Sequence, residues 1–586
     1  MEYSKLIDIY EQLNKTTKRL EKTHIISEFL KGVSLDDIEH VMLLLEGRVF
    51  PNYDAREIGV AARLMLKSLS VATGISVDKI ENEWKKHGDL GLVAESIVKT
   101  KKQATLHSTK LTVKKVFENI RKLAELEGQG TVDRKTHLIA ELLTSAKPIE
   151  SKYIVKTILG EMRIGVGEGA MRDAIVWAFF NDKIGVKYTR EGNDIEVEDR
   201  DVYNKYLDAV QNAYDVTNEF AEVAKTAKQK GLEGLESIGM KIGIPIQVML
   251  ALKVDTIDEA FETVGRPAAI EFKYDGFRIQ CHKDEKGNIT LFTRRLEDVT
   301  KQFPDVVEFI KKNVKGKSFI VDSEAVGYNK KTGRYLPFQS ISQRIKRKYD
   351  IEKMSQDFPV EVNVFDIICY DGKSMLNEGF EKRRKLLEKI IKQEPKKIVL
   401  AKSKITSEKK EVDKFFKDAV NAGNEGLMFK ALNAPYKPGA RVGYMIKFKS
   451  MMETLDLVIV GAEWGEGKRS KWLSSYVIAC IDENGNFAEV GRVSTGLKEK
   501  EEEGLSFMEM TKLLKPLIIS EKGKEVKVKP KIVIEVGYEE IQKSPTYESG
   551  FALRFPRVIK IRDDKGADEA STLDYVKRLY AGQKKT

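Results

Sequence analysis

The sequence predicts a multidomain α+β protein with an all-helical N-terminal domain, a central α/β domain and a small C-terminal β-barrel. Three observations support this fold class. A chain of 586 residues is too long for one hydrophobic core. Apolar residues follow a helical period up to about residue 230 and then largely alternate. From about residue 451, turns separate short strand-like segments. The expected domain boundaries are 1–232, 233–450 and 451–586.

The helical first third is predicted from recurring apolar stripes. Ser34-Leu-Asp-Asp37 offers an N-cap with a capping-box acid, and Gly47 offers a helix stop. The stripe between them consists of Leu35, Ile38, Val41, Met42 and Leu45. Similar stripes occupy 138–143 and 220–227. The stretch from Lys228 to Pro245, which contains glycine and lysine, is predicted to be a linker.

Strands dominate the rest of the chain. In the central domain, alternation predicts strands at 268–282, 289–294, 318–326, 362–369 and 442–449. Helices are expected at Lys382–Ile391 and Lys410–Asn421. In the C-terminal domain, strands are expected at Leu455–Val460, Ser475–Ile481, Phe487–Val493 and Lys531–Tyr538. A last helix is expected from about Asp568 to Tyr580.

Composition is that of a globular protein, with 41% hydrophobic and 33% charged residues. The net charge of +11 favours a polyanionic partner, although solubility explains it equally well. Cys281, Cys369 and Cys480 are far apart, so neither a disulfide framework nor a zinc site is implied. The N-terminus is polar, and no run of 18 apolar residues occurs. We therefore expect a cytoplasmic protein without a membrane span.

The segment Ile270–Arg278, with the sequence IEFKYDGFR, carries a candidate nucleophile. As a strand it places Glu271 and Lys273 on one face, and the turn at Asp275-Gly276 brings Arg278 near them. A lysine beside cations has a lowered pKa and can act as a nucleophile. Taken alone, however, Lys-x-Asp-Gly is explained better as a half-exposed strand with solvated charges.

Further segments follow Lys273 in a fixed order. They are Phe292–Arg295, Val321–Val326, Val362–Ile367, Glu425–Lys430 and Met445–Lys449. Each is strand-like, and Lys447 and Lys449 share one face of the last. This ordered series resembles the motifs of the lysine-adenylating nucleotidyltransferases, which comprise DNA ligases, RNA ligases and mRNA capping enzymes.

The resemblance implies a role for each charged position. Lys273 is the residue that becomes adenylated, and Glu425 and Lys449 support it. The expected ATP- or AMP-binding residues are Glu271, Arg278, Arg294, Glu324, Phe365, Arg441 and Lys447. An attacked α-phosphate needs cations and a metal, so Glu324 and Glu425 are the candidate ligands of Mg²⁺ or Mn²⁺. Taken singly, Phe365 is equally well explained as a core residue, and the two glutamates as surface charges.

Two further segments favour the DNA ligase branch. Phe551–Lys565 resembles the C-terminal motif of ATP-dependent DNA ligases, in which Arg554, Arg557 and Lys565 orient the pyrophosphate leaving group. Gly88–Gly91 and Gly160–Gly169 resemble the DNA-encircling domain of archaeal and eukaryotic ligases, where glycines let backbone amides approach phosphates. The alternatives are a basic strand end and a tight turn between helices. The resemblance makes the first domain DNA-binding, the second an adenylation domain and the third an OB fold.

The implied function is that of an ATP-dependent DNA ligase. Such an enzyme seals nicks between a 5′-phosphate and a 3′-hydroxyl in duplex DNA through lysyl-AMP and a DNA-adenylate, in replication, repair and recombination. The chain lacks the four-cysteine zinc module of NAD-dependent ligases, so ATP is the expected donor. Met445 and Val248 depart from the family's usual tryptophan and proline, which affects only packing. RNA ligases and capping enzymes remain the nearest alternative, and a non-catalytic DNA clamp is a more distant one.

The expected partner is nicked duplex DNA, bound by a monomer at the nucleoid. A second partner is the replication sliding clamp, which archaeal DNA ligases often bind through a glutamine-led motif. Gln103-Ala-Thr-Leu-His107 lies in a similar context, with Gln103 and Leu106 as the anchoring side chains. The family usually places aromatic residues after the glutamine, so a plain surface loop is an equal alternative.

Overall fold

The computed structural model of this chain describes every residue except 55, 101–109, 337, 339–340, 342–343, 346–348, 450–453, 466–468, 500–504 and 586. It confirms the predicted mixed architecture. Helices build the N-terminal region, two sheets with flanking helices build the middle, and a strand-rich domain follows. In the described part of the chain, every helix is too short or too polar to cross a lipid bilayer.

The N-terminal region packs its helices around one apolar core that runs from Tyr3 to Leu235. Its helices are α1 (Tyr3–Asn14), α2 (Arg19–Lys31), α3 (Ile38–Leu45), α4 (Ala62–Thr73), α5 (Val77–His87), α6 (Leu90–Lys99), α7 (Val113–Glu125), α8 (Thr131–Ser145), α9 (Pro148–Leu159), α10 (Glu168–Ile184), α11 (Arg200–Thr217) and α12 (Phe220–Glu236). A short hairpin of β1 (Lys187–Thr189) and β2 (Asp194–Glu196), which the periodicity did not predict, follows α10.

The predicted apolar stripe near residue 40 is correct except at its first position. Helix α3 begins at Ile38, and the later members of the stripe are buried. Leu35 precedes the helix and is 38% exposed, so its assignment to the stripe is wrong. Gly47 adopts a φ of +75°, which favours glycine and ends the helix as predicted.

The connection between the first two regions is shorter than predicted. Helix α12 continues to Glu236, although the backbone at Gly231 is not helical, so the linker does not begin at Lys228. The following chain is held against the central domain by two side chains. The Gly243 amide donates to Nδ1 of His282 at 3.1 Å, and the Ile246 amide donates to Oε1 of Gln280 at 2.8 Å.

Two sheets form the central domain. Their strands are β3 (Leu252–Val254), β4 (Ala268–Lys273), β5 (Phe277–Lys283), β6 (Ile289–Thr293), β7 (Phe319–Gly327), β8 (Val360–Tyr370), β9 (Lys373–Ser374), β10 (Ile398–Leu400), β11 (Ser403–Thr406), β12 (Gly426–Ala431) and β13 (Met445–Lys449). One sheet has the order β10-β8-β7-β5-β6, with β9 beside β8, and the other has the order β11-β4-β12-β13-β3. Because the predicted strand 268–282 turns at residues 274–276, it supplies β4 to one sheet and β5 to the other.

Helices accompany these sheets in the central domain. They are α13 (Ile257–Val264), α14 (Pro304–Asn313), α15 (Ile351–Asp357), α16 (Phe380–Ile390) and α17 (Lys409–Asn421). Each sheet has its own apolar core, and the two predicted helices, α16 and α17, are present to within two residues at either end.

The C-terminal region is strand-rich as predicted. Its strands are β14 (Leu455–Trp464), β15 (Leu473–Ile481), β16 (Phe487–Val493), β17 (Ile518–Lys522), β18 (Glu525–Val528), β19 (Val533–Gly537), β20 (Glu540–Lys543), β21 (Phe551–Arg554) and β22 (Arg557–Ile561). Its helices are α18 (Phe507–Leu514) and α19 (Leu573–Lys585). The last helix starts later than predicted, because residues 567–569 form a separate 3₁₀ turn.

Candidate active site

A cleft of about 1600 Å³ lies where the two central sheets meet, and all three regions of the chain line it. The N-terminal region contributes Asn52–Asp54 and Glu57, and the C-terminal region contributes Glu539, Arg554 and Phe555. The sequence-predicted residues in its walls are Glu271, Lys273, Arg278, Arg294, Glu324, Phe365, Glu425, Arg441, Lys447, Lys449 and Arg554. The structure thus gathers into one cavity predicted residues that are separated by up to 283 positions in the sequence, from Glu271 to Arg554.

Strand register aligns the central lysines. Lys273 on β4 lies opposite Gly426 on β12, which in turn lies opposite Lys449 on β13. A second row lies two residues away along the strands: Glu271 lies opposite Met428, which in turn lies opposite Lys447. Side chains alternate along each strand, so both rows face the cleft while the residues between them enter the apolar core. The predicted common face of Glu271 and Lys273 is confirmed.

Gly426 keeps the two lysines of its row close together. Its φ is +149°, and a Cβ atom there would lie 2.3 Å from the carbonyl oxygen of Phe448. Any side chain would therefore push β12 and β13 apart.

Lys273 and Lys449 share one carboxylate. Oε2 of Glu425 lies 2.5 Å from Nζ of Lys273 and 2.5 Å from Nζ of Lys449. The Glu425 amide also donates to the Lys273 carbonyl oxygen at 2.8 Å, which fixes the backbone between them. Burial opposes the charge of Glu425, but the two ammonium groups outweigh it and lower its pKa. Glu425 is therefore a fixed anion between two cations.

Further cations line the same wall. Burial, followed by repulsion from Lys449 and Lys273, lowers the pKa of Lys447. Burial also acts to lower the pKa of Lys449, but the adjacent Glu425 outweighs burial and raises the pKa of Lys449. Arg294 and Arg441 are exposed at the rim. This concentration of positive charge suits a polyphosphate.

Glu324 fits the role of a metal ligand. Burial, followed by repulsion from Glu425 and Asp322, raises its pKa to about 8 despite the nearby Lys273 and Arg278. A divalent cation at this carboxylate would relieve that repulsion. No cluster of three or more acidic, histidine or cysteine ligands occurs within the described residues. Substrate phosphates and water would therefore have to complete the coordination, as is usual for Mg²⁺.

Arg278 is held by two buried partners that the sequence did not reveal. Its Nε donates to Asp322 at 2.9 Å, and its Nη2 donates to the Tyr436 hydroxyl at 2.9 Å. That hydroxyl donates to Asp322 at 3.0 Å and closes the triangle. The guanidinium also lies 5.1 Å from the centre of the Phe365 ring. Asp322 could have been identified from the sequence, because it lies two positions before Glu324 and therefore shares the same face of β7.

Glu271 also has partners that the motifs did not predict. Nζ of Lys430 lies 2.6 Å from its Oε2, and Nη1 of Arg384 lies 3.5 Å from its Oε1. Lys430 could have been recognised in the sequence, because it is the last residue of the segment Glu425–Lys430 and shares a strand face with Met428. Arg384, on α16, carried no sequence signal.

The C-terminal motif is divided between two places. Arg554 enters the cleft, where its Nη1 lies 3.8 Å from Asp275 and 3.2 Å from Glu540. Lys565 instead pairs with Asp456 at 2.7 Å, and Arg557 is exposed on β22. Neither of these two side chains lines the cleft. Burial raises the pKa of Asp275 to about 6, with repulsion from Glu425 adding to it.

Part of the predicted segment Gly160–Gly169 lies beside a second, basic cavity of about 350 Å³, whereas Gly88, Gly91 and Gly160 do not line it. Gly165, Gly167 and Gly169 precede or begin α10, and the facing side chains are those of Thr17, Arg19, Lys22 and Arg172. Arg19 and Arg172 both pair with the buried Asp173, which orients them. The proposed clamp motif around Gln103 and Leu106 lies outside the described residues.

Three family models match successive parts of the chain. They are the DNA ligase N terminus over residues 2–176, the ATP dependent DNA ligase domain over 248–449 and the ATP dependent DNA ligase C terminal region over 469–565. The cleft lies mainly within the second match.

Full-length relatives agree with these matches. A DNA ligase of Nanoarchaeum equitans (strain Kin4-M) is 48% identical, with 100% of this chain and 99% of the relative aligned. A DNA ligase of Archaeoglobus fulgidus is 43% identical, with 99% and 98% aligned. A solved structure described as Pmar-Lig_PreS3 shares the fold, with a TM-score of 0.56 over 95% of this chain and 99% of that one, at 16% identity. Because the models cover most of the sequence and the archaeal relatives align from end to end, the chain belongs to the ATP-dependent DNA ligases, enzymes that seal nicks in DNA through a lysyl-AMP intermediate.

Proposed function

We propose that Lys273 is the residue that carries AMP in this ligase. The observation that carries the proposal is the position of its Nζ, inside the cleft and 2.5 Å from a carboxylate that it shares with Lys449. Glu425 holds the lysine amine in place, and the surrounding cations attract the triphosphate. An amine fixed beside bound phosphates is oriented for attack.

The nucleotide lies along the cleft in this proposal. Phe365 provides a ring face for adenine, and Glu271 accepts a hydrogen bond from the adenine amino group. Lys447, Arg278, Arg294 and Arg441 neutralise the phosphates. Arg554 acts at the far end, on the departing pyrophosphate, and Arg557 and Lys565, which lie outside the cleft, join it only if the C-terminal region changes position during adenylation.

Glu324 and Glu425 hold Mg²⁺ or Mn²⁺ when the metal is bound. The metal supplies positive charge to the α-phosphate and to the leaving oxygen. The protein contributes two carboxylates to metal binding. Glu324 forms no ion pair among the described residues, whereas Glu425 is fixed by Lys273 and Lys449.

The reaction proceeds in three displacements. Nζ of Lys273 attacks the α-phosphorus of ATP, forms a P–N bond and expels pyrophosphate. The 5′-phosphate at the nick then attacks the same phosphorus, forms a DNA-adenylate and frees Lys273. Finally the 3′-hydroxyl attacks the 5′-phosphorus, the phosphodiester forms and AMP leaves. The phosphate-binding cations serve all three steps, because each transition state carries excess negative charge.

Nicked duplex DNA binds in part through the N-terminal region. The basic cavity beside Gly165–Gly169 supports this, because backbone amides at the start of α10 and the oriented Arg19 and Arg172 suit a phosphate backbone. We propose that one chain surrounds the DNA as a monomer at the nucleoid. We further propose that the Gln103–Leu106 segment binds the sliding clamp, which calorimetric titration of the clamp would test.

The test of the central assignment is labelling with α-³²P-ATP followed by denaturing electrophoresis. Lys273→Ala should lose the covalent adduct completely while its circular dichroism spectrum stays that of the wild type. Lys404→Ala is the matched control, since Lys404 lies on the adjacent β11, is exposed and pairs with Glu411 outside the cleft. An adduct of normal yield in Lys273→Ala would show that another residue is the nucleophile.

A further inference from the structure

Lys430 is a buried cation that the proposed reaction does not use. The residue is 4% exposed, and its Nζ lies 4.8 Å from the Phe365 ring centre and 4.5 Å from that of Phe380. A lysine in such surroundings needs an anionic partner, because an unpaired ammonium is costly to bury. That partner is Oε2 of Glu271, at 2.6 Å.

Glu271 is likewise buried, with 2% exposure, and still lines the same cleft as Phe365. Lys430 pairs with Oε2, whereas Oε1 has, among the residues that the structure describes, only the distant Nη1 of Arg384 as a partner, at 3.5 Å. The stronger bond of Arg384 goes elsewhere, because its Nη2 donates to the Ala401 carbonyl oxygen at 2.8 Å. One oxygen of the carboxylate is thus fixed by an ion pair, and the other is left as an acceptor at the base end of the cleft.

We propose that Lys430 is a specificity-determining positioning residue, which holds Glu271 as a charged acceptor so that the site takes purines with an amino group at position 6 and rejects those with an oxygen there. The proposal rests on the nucleotide site proposed above. An ionised carboxylate only accepts hydrogen bonds, so it binds the 6-amino group and repels a 6-oxo group. Without Lys430, the carboxylate would lose its main counter-charge and the ion pair that fixes Oε2, so Oε1 would no longer be held as the acceptor for the 6-amino group.

The wild-type protein provides the first test. Adduct formation is measured with ATP, inosine triphosphate and purine riboside triphosphate, which carry at position 6 an amino group, an oxygen and a hydrogen. ATP should exceed inosine triphosphate by about 100-fold or more in second-order rate constant, because a mismatched base leaves buried polar groups unpaired. Purine riboside triphosphate should lie between the two. Equal use of ATP and inosine triphosphate, with the label on Lys273, would overturn this inference and leave the proposed function intact, whereas no label from any nucleotide would count against the proposed function.

The second test changes Lys430. In Lys430→Met the preference for ATP over inosine triphosphate should fall at least about tenfold, because the carboxylate is no longer held as an acceptor. The preference is a ratio within one variant, so a loss of folded protein lowers both rates and leaves it unchanged. Lys396→Met is the matched control: its Nζ lies 4.9 and 4.8 Å from the ring centres of Tyr328 and Tyr335, away from Glu271. A wild-type preference in Lys430→Met would overturn the assignment.

A double variant covers the case in which the single one does not fold. Glu271→Gln with Lys430→Met leaves no charge of this pair to bury, and the glutamine amide can donate to an oxygen at position 6. The preference for ATP should then fall further than in Lys430→Met. Retention of the full preference by this pair would show that other residues read the base.

Discussion

At the scale of single residues, Phe365 illustrates how a cleft residue can be half core and half surface. Its ring packs against the apolar core of the second central sheet, and it also lines the cleft. The cations of Arg278 and Lys430 lie 5.1 and 4.8 Å from its centre. Such a ring is stiff and its position is defined on several sides, which suits a stacking platform for a base.

Phe365→Ala should weaken ATP binding by about 1–3 kcal/mol, the usual contribution of a base stacked on an aromatic ring. The measurement is the ATP dependence of adduct formation, alongside sealing of a pre-adenylated nick, which should suffer less. Phe416→Ala is the control, because Phe416 packs against the same core without lining the cleft. An unchanged ATP dependence in Phe365→Ala would make the ring a packing residue only.

Alternation in the sequence predicted which residues share a strand face, and the motifs predicted eleven of the side chains that line the cleft. The partners that hold these side chains could not be predicted in the same way. Tyr436 contacts Asp322 across 114 positions of the sequence, and Arg384 contacts Glu271 across 113. Such contacts depend on how the two sheets and α16 pack, which local periodicity does not encode.

At the scale of elements, the linker after α12 is fixed by a short chain of buried hydrogen bonds. The ring of His282 is fully buried, and its Nδ1 accepts from the Gly243 amide, so Nε2 carries the hydrogen and donates to Gln280 at 2.9 Å. Residues 248–251, which follow this hydrogen-bonded segment, line the cleft.

Stability should depend on pH through this ring. Burial lowers the pKa of His282 from 6.5 to about 3. Between these values the unfolded chain binds a proton that the folded protein does not, so stability should be complete above pH 6.5 and fall as the pH falls towards 3. In His282→Phe the melting temperature should depend less on pH across this range. The control His137→Phe changes an exposed ring and should keep the wild-type pH dependence; if both variants do so, His282 is not responsible.

The strands β21 and β22 divide the C-terminal motif, which gives another prediction at this scale. Arg554→Ala should slow adduct formation at least about tenfold, since a charged contact to the leaving group contributes more than 1.4 kcal/mol. Sealing of a pre-adenylated nick should change far less. Lys565→Ala is the informative comparison, because Lys565 pairs with Asp456 outside the cleft. A loss in Lys565→Ala as large as in Arg554→Ala would mean that the C-terminal region changes position during adenylation.

At the scale of the whole molecule, one cleft receives side chains from all three regions, whereas the basic cavity beside α10 belongs to the N-terminal region alone. The first is suited to a nucleotide and the second to a phosphate backbone. Binding of DNA and formation of the adduct should therefore be separable by mutation.

Arg19→Ala should weaken binding to a nicked duplex while leaving adduct formation unchanged. The Arg19 side chain is 58% exposed beside the basic cavity. If it contacts one phosphate, its loss should reduce the slope of log affinity against log salt concentration by about 0.9. Fluorescence anisotropy across a salt series measures this slope. The control is Lys67→Ala, because Lys67 is exposed, pairs with Asp133 and lines neither cavity; a wild-type slope in Arg19→Ala would place the DNA elsewhere.

The carboxylate that Lys273 and Lys449 share affects the charge balance of the site before and after adenylation. Lys273, Lys449 and Lys447 bring three ammonium groups and Glu425 brings one carboxylate, so these four side chains carry an excess of two positive charges that attracts a nucleotide. Transfer of AMP to Lys273 removes one ammonium charge and adds one phosphate charge, so these groups then sum to zero. Glu425 keeps Lys449 as its counter-ion without moving. Adenylation thus balances the charge of these four side chains, so that they exert no net attraction on a second nucleotide while the intermediate persists until a nick binds.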